Sequence, residues 1–158
     1  MRYLWAPWRA IYLKELNKKA CFICRYLKQK PAKTNLVISR TPQAICIMNR
    51  YPYNTGHLMI APLKHKGRLE DLTPDEVIGL FELLKAMKRR LGKVLKPDGF
   101  NIGMNLGRVA GAGLPGHLHI HLVPRWNGDT NFMPVLAETK VISRALEEVY
   151  QKLTTAFK

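Results

Sequence analysis

His117-Leu118-His119-Ile120-His121-Leu122-Val123-Pro124-Arg125 decides how this chain is read. The chain holds five histidines, and three of them alternate here. Leu118, Ile120, Leu122 and Val123 favour extended backbone, so the spacing predicts a strand over 117–124. Side chains on a strand alternate between its two faces. The three imidazoles would then share one face, which is more imidazole than packing requires. Two chemistries use such a face. One is a metal site, where a His-x-His pair puts two nitrogens on one ion. The other is nucleophilic catalysis, where a neutral ring attacks phosphorus and its neighbours bind phosphoryl oxygens or donate a proton. An unperturbed pKa of ~6.5 suits either near neutral pH.

Immediately upstream, Gly107, Gly111, Gly113 and Gly116 mark a loop running into the histidines. Glycine lets backbone N–H groups come close to an anion, which favours the phosphorus reading. Further upstream, strands are predicted over 36–39, 43–49, 57–62 and 100–106, with a turn from Arg50 to Gly56. Thr73-Pro74-Asp75-Glu76 is a capping box with proline at the first helical position. Val77, Leu80, Phe81, Leu84, Met87, Leu91, Val94 and Leu95 follow as an apolar stripe that predicts a core helix ending at Pro97-Asp98-Gly99. Val141, Ile142, Leu146, Val149, Tyr150 and Leu153 predict a C-terminal helix over 139–157. The expected fold is α+β: about five antiparallel strands, one long helix and a C-terminal helix.

With 158 residues and 47% hydrophobic content, the chain reads as a single folded domain. No apolar run reaches the ~20 residues of a membrane span, and the first residues lack a signal peptide's apolar stretch. The expected location is cytoplasmic. Lysine and arginine number 26 against 11 acidic residues, a formal charge of +15. Such a balance suits an anionic partner, either a small polyphosphate or nucleic acid. The basic residues are dispersed, which argues against a nucleic-acid arm as the primary partner site. Cys46 sits in an apolar strand segment and reads as an inert thiol. Cys21-Phe22-Ile23-Cys24 is a C-x-x-C pair, which in a reducing compartment suggests metal or redox chemistry.

The alternating run resembles the signature of the histidine triad (HIT) family, His-x-His-x-His-x-x with apolar intervening residues. Asn49 to His57, ending in Gly56-His57-Leu58-Met59-Ile60, resembles the family's N…GH segment, Leu69-Glu70-Asp71-Leu72-Thr73 and its helix are similar too, and the likeness covers about residues 21–126. Leu4-Trp5-Ala6-Pro7-Trp8-Arg9, Tyr51-Pro52-Tyr53-Asn54, Asn105-Leu106-Gly107 and Arg125 to Phe132 resemble, more narrowly, the bacterial diadenosine-tetraphosphate phosphorylase branch.

The resemblance implies His119 as nucleophile toward the α-phosphorus of an adenosine polyphosphate. It implies His121 as the hydrogen-bond partner of phosphate oxygens and candidate proton donor, His57 as its support and Asn49 as a ribose ligand. Water or inorganic phosphate would release the adenylyl group. Fragile-type hydrolases carry a glutamine where ungapped alignment puts Leu106 here. Asn105 and the backbone of Gly111, Gly113 and Gly116 are the candidate replacements. Cys21, Cys24, His65 and His117 match a structural zinc set of related proteins, closed and tetrahedral. The resemblance also implies a homodimer. Trp5 and Trp8 are expected in core or interface.

Three rival readings follow: hydrolysis of an adenosine phosphoramidate by the same machinery, a catalytic metal held by His117, His119 and His121 with Asp129 behind them, and a zinc-stabilised nucleic-acid-binding module.

Overall fold

The computed structural model describes residues 21–130 and 142–155. Trp5, Trp8, the 4–9 motif, residues 131–134 and the predicted helix start at 139–141 lie outside the described residues. A short helix, α1 (Phe22–Leu27), opens the described chain, and Cys21 is its N-cap. Strands β1 (Val37–Arg40), β2 (Ala44–Met48) and β3 (Leu58–Pro62) follow. Then come the long helix α2 (Pro74–Leu95), β4 (Gly99–Gly103), β5 (Ile120–Arg125) and α3 (Leu146–Thr155). The sheet is antiparallel at every pairing, in the order β1-β2-β3-β5-β4. The α+β architecture is the one expected.

The register assigns each face. Met59 lies opposite His121, and Gly103 flanks His121 on the other side. By alternation His57 and His121 share a face, diagonal to each other across β3 and β5. Leu58, Ile60, Ile120 and Leu122 point the other way and are buried. Helix α2 covers that second face, where the ammonium of Lys88 lies 5.4 Å from the centre of the Phe100 ring. The sheet therefore separates an apolar core from an imidazole face.

Helix α2 starts where its sequence directs. The Thr73 hydroxyl accepts from Glu76 N (3.3 Å), and the Glu76 carboxylate accepts from Thr73 N (2.8 Å). Leu80, Leu83, Leu84, Met87, Leu91 and Leu95 are buried. Val77 and Phe81, expected in the core, are exposed. At ~100° per residue they fall about 60° and 100° from Leu80, at the edge of the buried stripe, and Leu83 fills the opposite edge. Gly56, at φ 76°, lies where an added Cβ would stand 2.6 Å from Leu95 Cδ1, so only glycine fits between the 51–56 turn and α2.

Three boundaries differ from expectation. β4 ends at Gly103, and α3 begins at Leu146, after Ile142. β5 begins at Ile120. His117 to His119 precede it because the Leu118 amide bonds Lys66 O (2.7 Å) in the connector between β3 and α2, away from the strand ladder.

Candidate functional site

The histidine run divides into two sites. The first gathers Cys21, Cys24, His65 and His117, whose ligand atoms lie within 4.8 Å of one another. Cys21 Sγ is 3.3 Å and Cys24 Sγ 3.5 Å from His117 Nδ1; His65 Nδ1 is 3.3 Å from both Cys24 Sγ and His117 Nδ1. Donors tetrahedrally arranged at zinc bond lengths would stand about 3.3–3.8 Å apart, so this set fits one ion. His117 Nε2 donates to Pro62 O (2.9 Å), which leaves Nδ1 as a bare lone pair facing the cluster. Burial holds the His117 ring below its ordinary pKa, in the neutral form a metal needs. Both cysteines are free thiols.

The elements bearing these donors are fastened nearby. Arg40 of β1 donates to the carbonyls of Tyr26, Leu27 (3.0 Å) and Gln29 (2.5 Å), closing the C-terminal end of α1. Beside His65, Lys66 Nζ donates to Asp71 O and to Glu76 Oε2, both at 2.6 Å. Glu76 thus starts α2 and anchors the connector. The hydrogen bonds from Lys66 and the Thr73 amide lower its pKa to about 2.

The second site holds His57, His119 and His121, all buried. His57 Nδ1 receives the Tyr53 amide N–H (3.1 Å) and stands 3.2 Å from Asn49 Nδ2, whose partner oxygen accepts from Tyr51 N (2.9 Å). Facing only donors, His57 Nδ1 must be the unprotonated nitrogen. His57 Nε2–H therefore donates to His121 Nδ1 (2.8 Å), and His121 carries its own proton on Nε2. That Nε2 is buried without a partner. His119 is the opposite tautomer: Nδ1–H donates to His117 O (2.9 Å), leaving a lone pair on Nε2. The rings of His119 and His121 meet edge to face, with centroids 4.9 Å apart. Burial first, and neighbouring imidazoles second, push His57 down to about 3 and His121 down to about 4. Burial also lowers His119. At neutral pH the site presents a buried lone pair next to a buried N–H.

Of the nucleotide-binding candidates, Asn49 joins this site through His57. Asn105 follows the end of β4, where Gly103 pairs with His121, and its amide reaches Gly111 O (3.4 Å) in the glycine loop. Gly111, Gly113 and Gly116 are exposed in that loop, and Gly116 lies beside His65 rather than the imidazole pair. Asp129, considered behind a catalytic metal, instead pairs with Arg125. The three triad rings do not converge on one ion, because His117 Nδ1, His119 Nδ1 and His121 Nδ1 each face a different partner. Tyr53 and Asn54 entered the sequence reading only as part of a branch motif. Tyr53 is half exposed and its ring lies 4.5 Å from that of His57 and 5.4 Å from that of His121.

The model of the HIT domain matches residues 29–128. The AP-4-A phosphorylase of Mycobacterium tuberculosis is 37% identical over 98% of this chain and 84% of its own length. The asymmetrical bis(5'-nucleosyl)-tetraphosphatase of Schizosaccharomyces pombe is 34% identical over 59% of this chain and 50% of its own. Among solved structures, a Zn-bound histidine triad family protein from Mycobacterium smegmatis superposes with a TM-score of 0.69, at 27% identity, covering 87% of this chain and 92% of that one. With its alternating imidazoles on a five-stranded sheet, this chain belongs to the HIT domain family.

Proposed function

We propose that the chain is a single-domain HIT-type nucleotide transferase that cleaves dinucleoside polyphosphates of the diadenosine-tetraphosphate kind, with inorganic phosphate as acceptor. One observation carries the reading. His119 is a buried, neutral imidazole whose Nδ1–H is committed to His117 O, so the Nε2 lone pair is left for an electrophile. Attack of Nε2 on the α-phosphorus forms a P–N bond and breaks the bridging P–O bond, and the electron pair leaves with ATP. The positive charge developing on the ring is steadied by the His117 carbonyl. His121 Nε2–H donates to a phosphoryl oxygen beside the bond that breaks. His57 holds His121 in that tautomer, and Asn49, beside His57, is the residue the family likeness offers to a ribose. Phosphate oxygen then displaces the ring and yields ADP, so substrate and phosphate become ATP and ADP. The similarity to the mycobacterial phosphorylase favours phosphate over water.

Cys21, Cys24, His65 and His117 would hold zinc. Four protein donors leave no open position, so the ion would cross-link α1, the connector and the histidine run without entering the reaction. We also take the protein to be a cytoplasmic homodimer. Free thiols suit a reducing compartment. Val77, Ile78, Phe81 and Ile102 supply exposed apolar area for a second copy.

Product analysis tests the reading. Diadenosine tetraphosphate with inorganic phosphate should give ADP and ATP, and rapid quench should trap adenylyl label on His119. AMP and ATP from water alone would assign hydrolysis. No cleavage by the zinc-loaded protein would refute the proposal.

A further inference from the structure

Two segments set apart in the sequence, Tyr51 to Asn54 and Arg125 to Thr130, have so far no role in the chemistry. The fold joins them. The Asp129 side chain is 7% exposed and accepts from Arg125 Nε (2.7 Å) and Nη2 (2.8 Å), Trp126 N (3.1 Å) and Thr130 Oγ1 (3.1 Å). It also accepts from Asn54 Nδ2 (2.7 Å), across 75 residues of sequence. Gly128, at φ 74°, allows the tight turn that brings Asp129 N back to Trp126 O (3.0 Å).

Asn54 is buried, and both polar atoms of its side chain are engaged. Its amide also donates to Pro124 O (3.1 Å), its side-chain oxygen accepts from Thr55 N (3.0 Å), and its backbone carbonyl accepts from His57 N (3.2 Å). An Arg125–Asp129 pair alone would suffice to close the 126–129 turn. The bond to Asn54 reaches instead into the loop whose next residue back, Tyr53, gives its amide to His57 Nδ1.

We propose that Asp129, acting through Asn54, is a positioning residue that holds the Tyr53 amide on His57 and thereby sets which nitrogen of His121 carries a proton. If the loop drifts, Asn49 alone marks His57 Nδ1 as an acceptor. The two His57 tautomers then approach equal energy. In the Nδ1–H form, His57 Nε2 becomes an acceptor, the His121 proton moves to Nδ1, and His121 Nε2 turns from donor to lone pair. Each ring keeps one proton, exchanged through solvent. A lone pair facing a phosphoryl oxygen repels it where a donor would bind. The final step, from tautomer to turnover, rests on the proposed function; the step from Asp129 to tautomer does not.

Long-range proton–nitrogen spectra of the zinc-loaded, histidine-labelled full chain read the tautomers directly. In the parent, His57 and His121 should both be Nε2–H; a parent His57 protonated on Nδ1 overturns the proposal without any variant. Asp129→Asn and the milder Asn54→Ala should give mixed tautomers on both rings. They should also lower kcat by roughly 10- to 100-fold with KM little changed. Variants that fold by circular dichroism yet keep pure Nε2–H tautomers overturn it, whatever their activity. Mixed tautomers with parental kcat would support the clamp and refute the role given to His121.

Discussion

His117 and His121 are four residues apart, yet they have opposite fates. At His117 both ring nitrogens are engaged, one by Pro62 O and the other by the Cys21–Cys24–His65 set. At His121 one nitrogen is engaged by His57, and the other is buried with nothing to bond. His119, between them, is likewise engaged on one side only. A ring with both nitrogens satisfied contributes stability. A ring with one nitrogen satisfied is oriented by that bond, and its second nitrogen is the one the proposed reaction uses.

The comparison breaks most directly at position 119. If His119 is the nucleophile proposed, His119→Ala should lower turnover by on the order of 10⁴-fold or more, while thermal denaturation shows stability changed by no more than about 1 kcal/mol. Equal turnover by that variant would erase the distinction between the two ends. The opposite pattern is expected at the cluster. With zinc bound as proposed, elemental analysis should find it in the parent and not in Cys24→Ser, and the melting temperature of that variant should fall by on the order of 10 °C. Turnover per folded molecule, assayed at low temperature, should stay within roughly threefold. At the edge of the imidazole site, His57→Asn should cost roughly 10- to 100-fold in kcat, because His121 loses the partner that orients it.

Acid sharpens the contrast. His57 and His121 titrate at about 3 and about 4 in the folded chain, against ~6.5 for free histidine. Below pH ~6.5 the unfolded chain binds protons that the folded chain refuses, so their contribution to stability is complete above that pH and is lost as the pH falls toward 4. Denaturant titrations between pH 7 and 4 should show this loss even in Cys24→Ser, and a shallower slope in His57→Asn. The smallest effect belongs to the helix start: Thr73→Ala should cost about 1 kcal/mol in the same titrations.

Much of this was legible because it is local. The alternating histidines, the C-x-x-C pair and the Thr73 capping box each announce themselves within a few residues. The family likeness then joined Cys21, Cys24, His65 and His117 correctly into one cluster. What eluded reading depends on distant partners. The exposure of Val77 and Phe81 depends on which side of the α2 stripe the sheet covers, and Leu83 marks the covered side. The late start of β5 depends on Lys66 taking the Leu118 amide. The bond from the Asn105 amide to Gly111 O depends on how the glycine loop folds back. The bond between Asn54 and Asp129 spans 75 residues and has no spacing rule to reveal it.

Glu76 has a consequence for the order in which the molecule fails. Its carboxylate stays ionised down to about pH 2 and grips Lys66, next door to His65. During acidification this latch outlasts His57 and His121, so the connector keeps its anchor on α2 while those two rings are already charging. Heat acts in the reverse sense. Fraying the first turn of α2 slackens the grip on Lys66, and His65 beside it is the first to feel the loss.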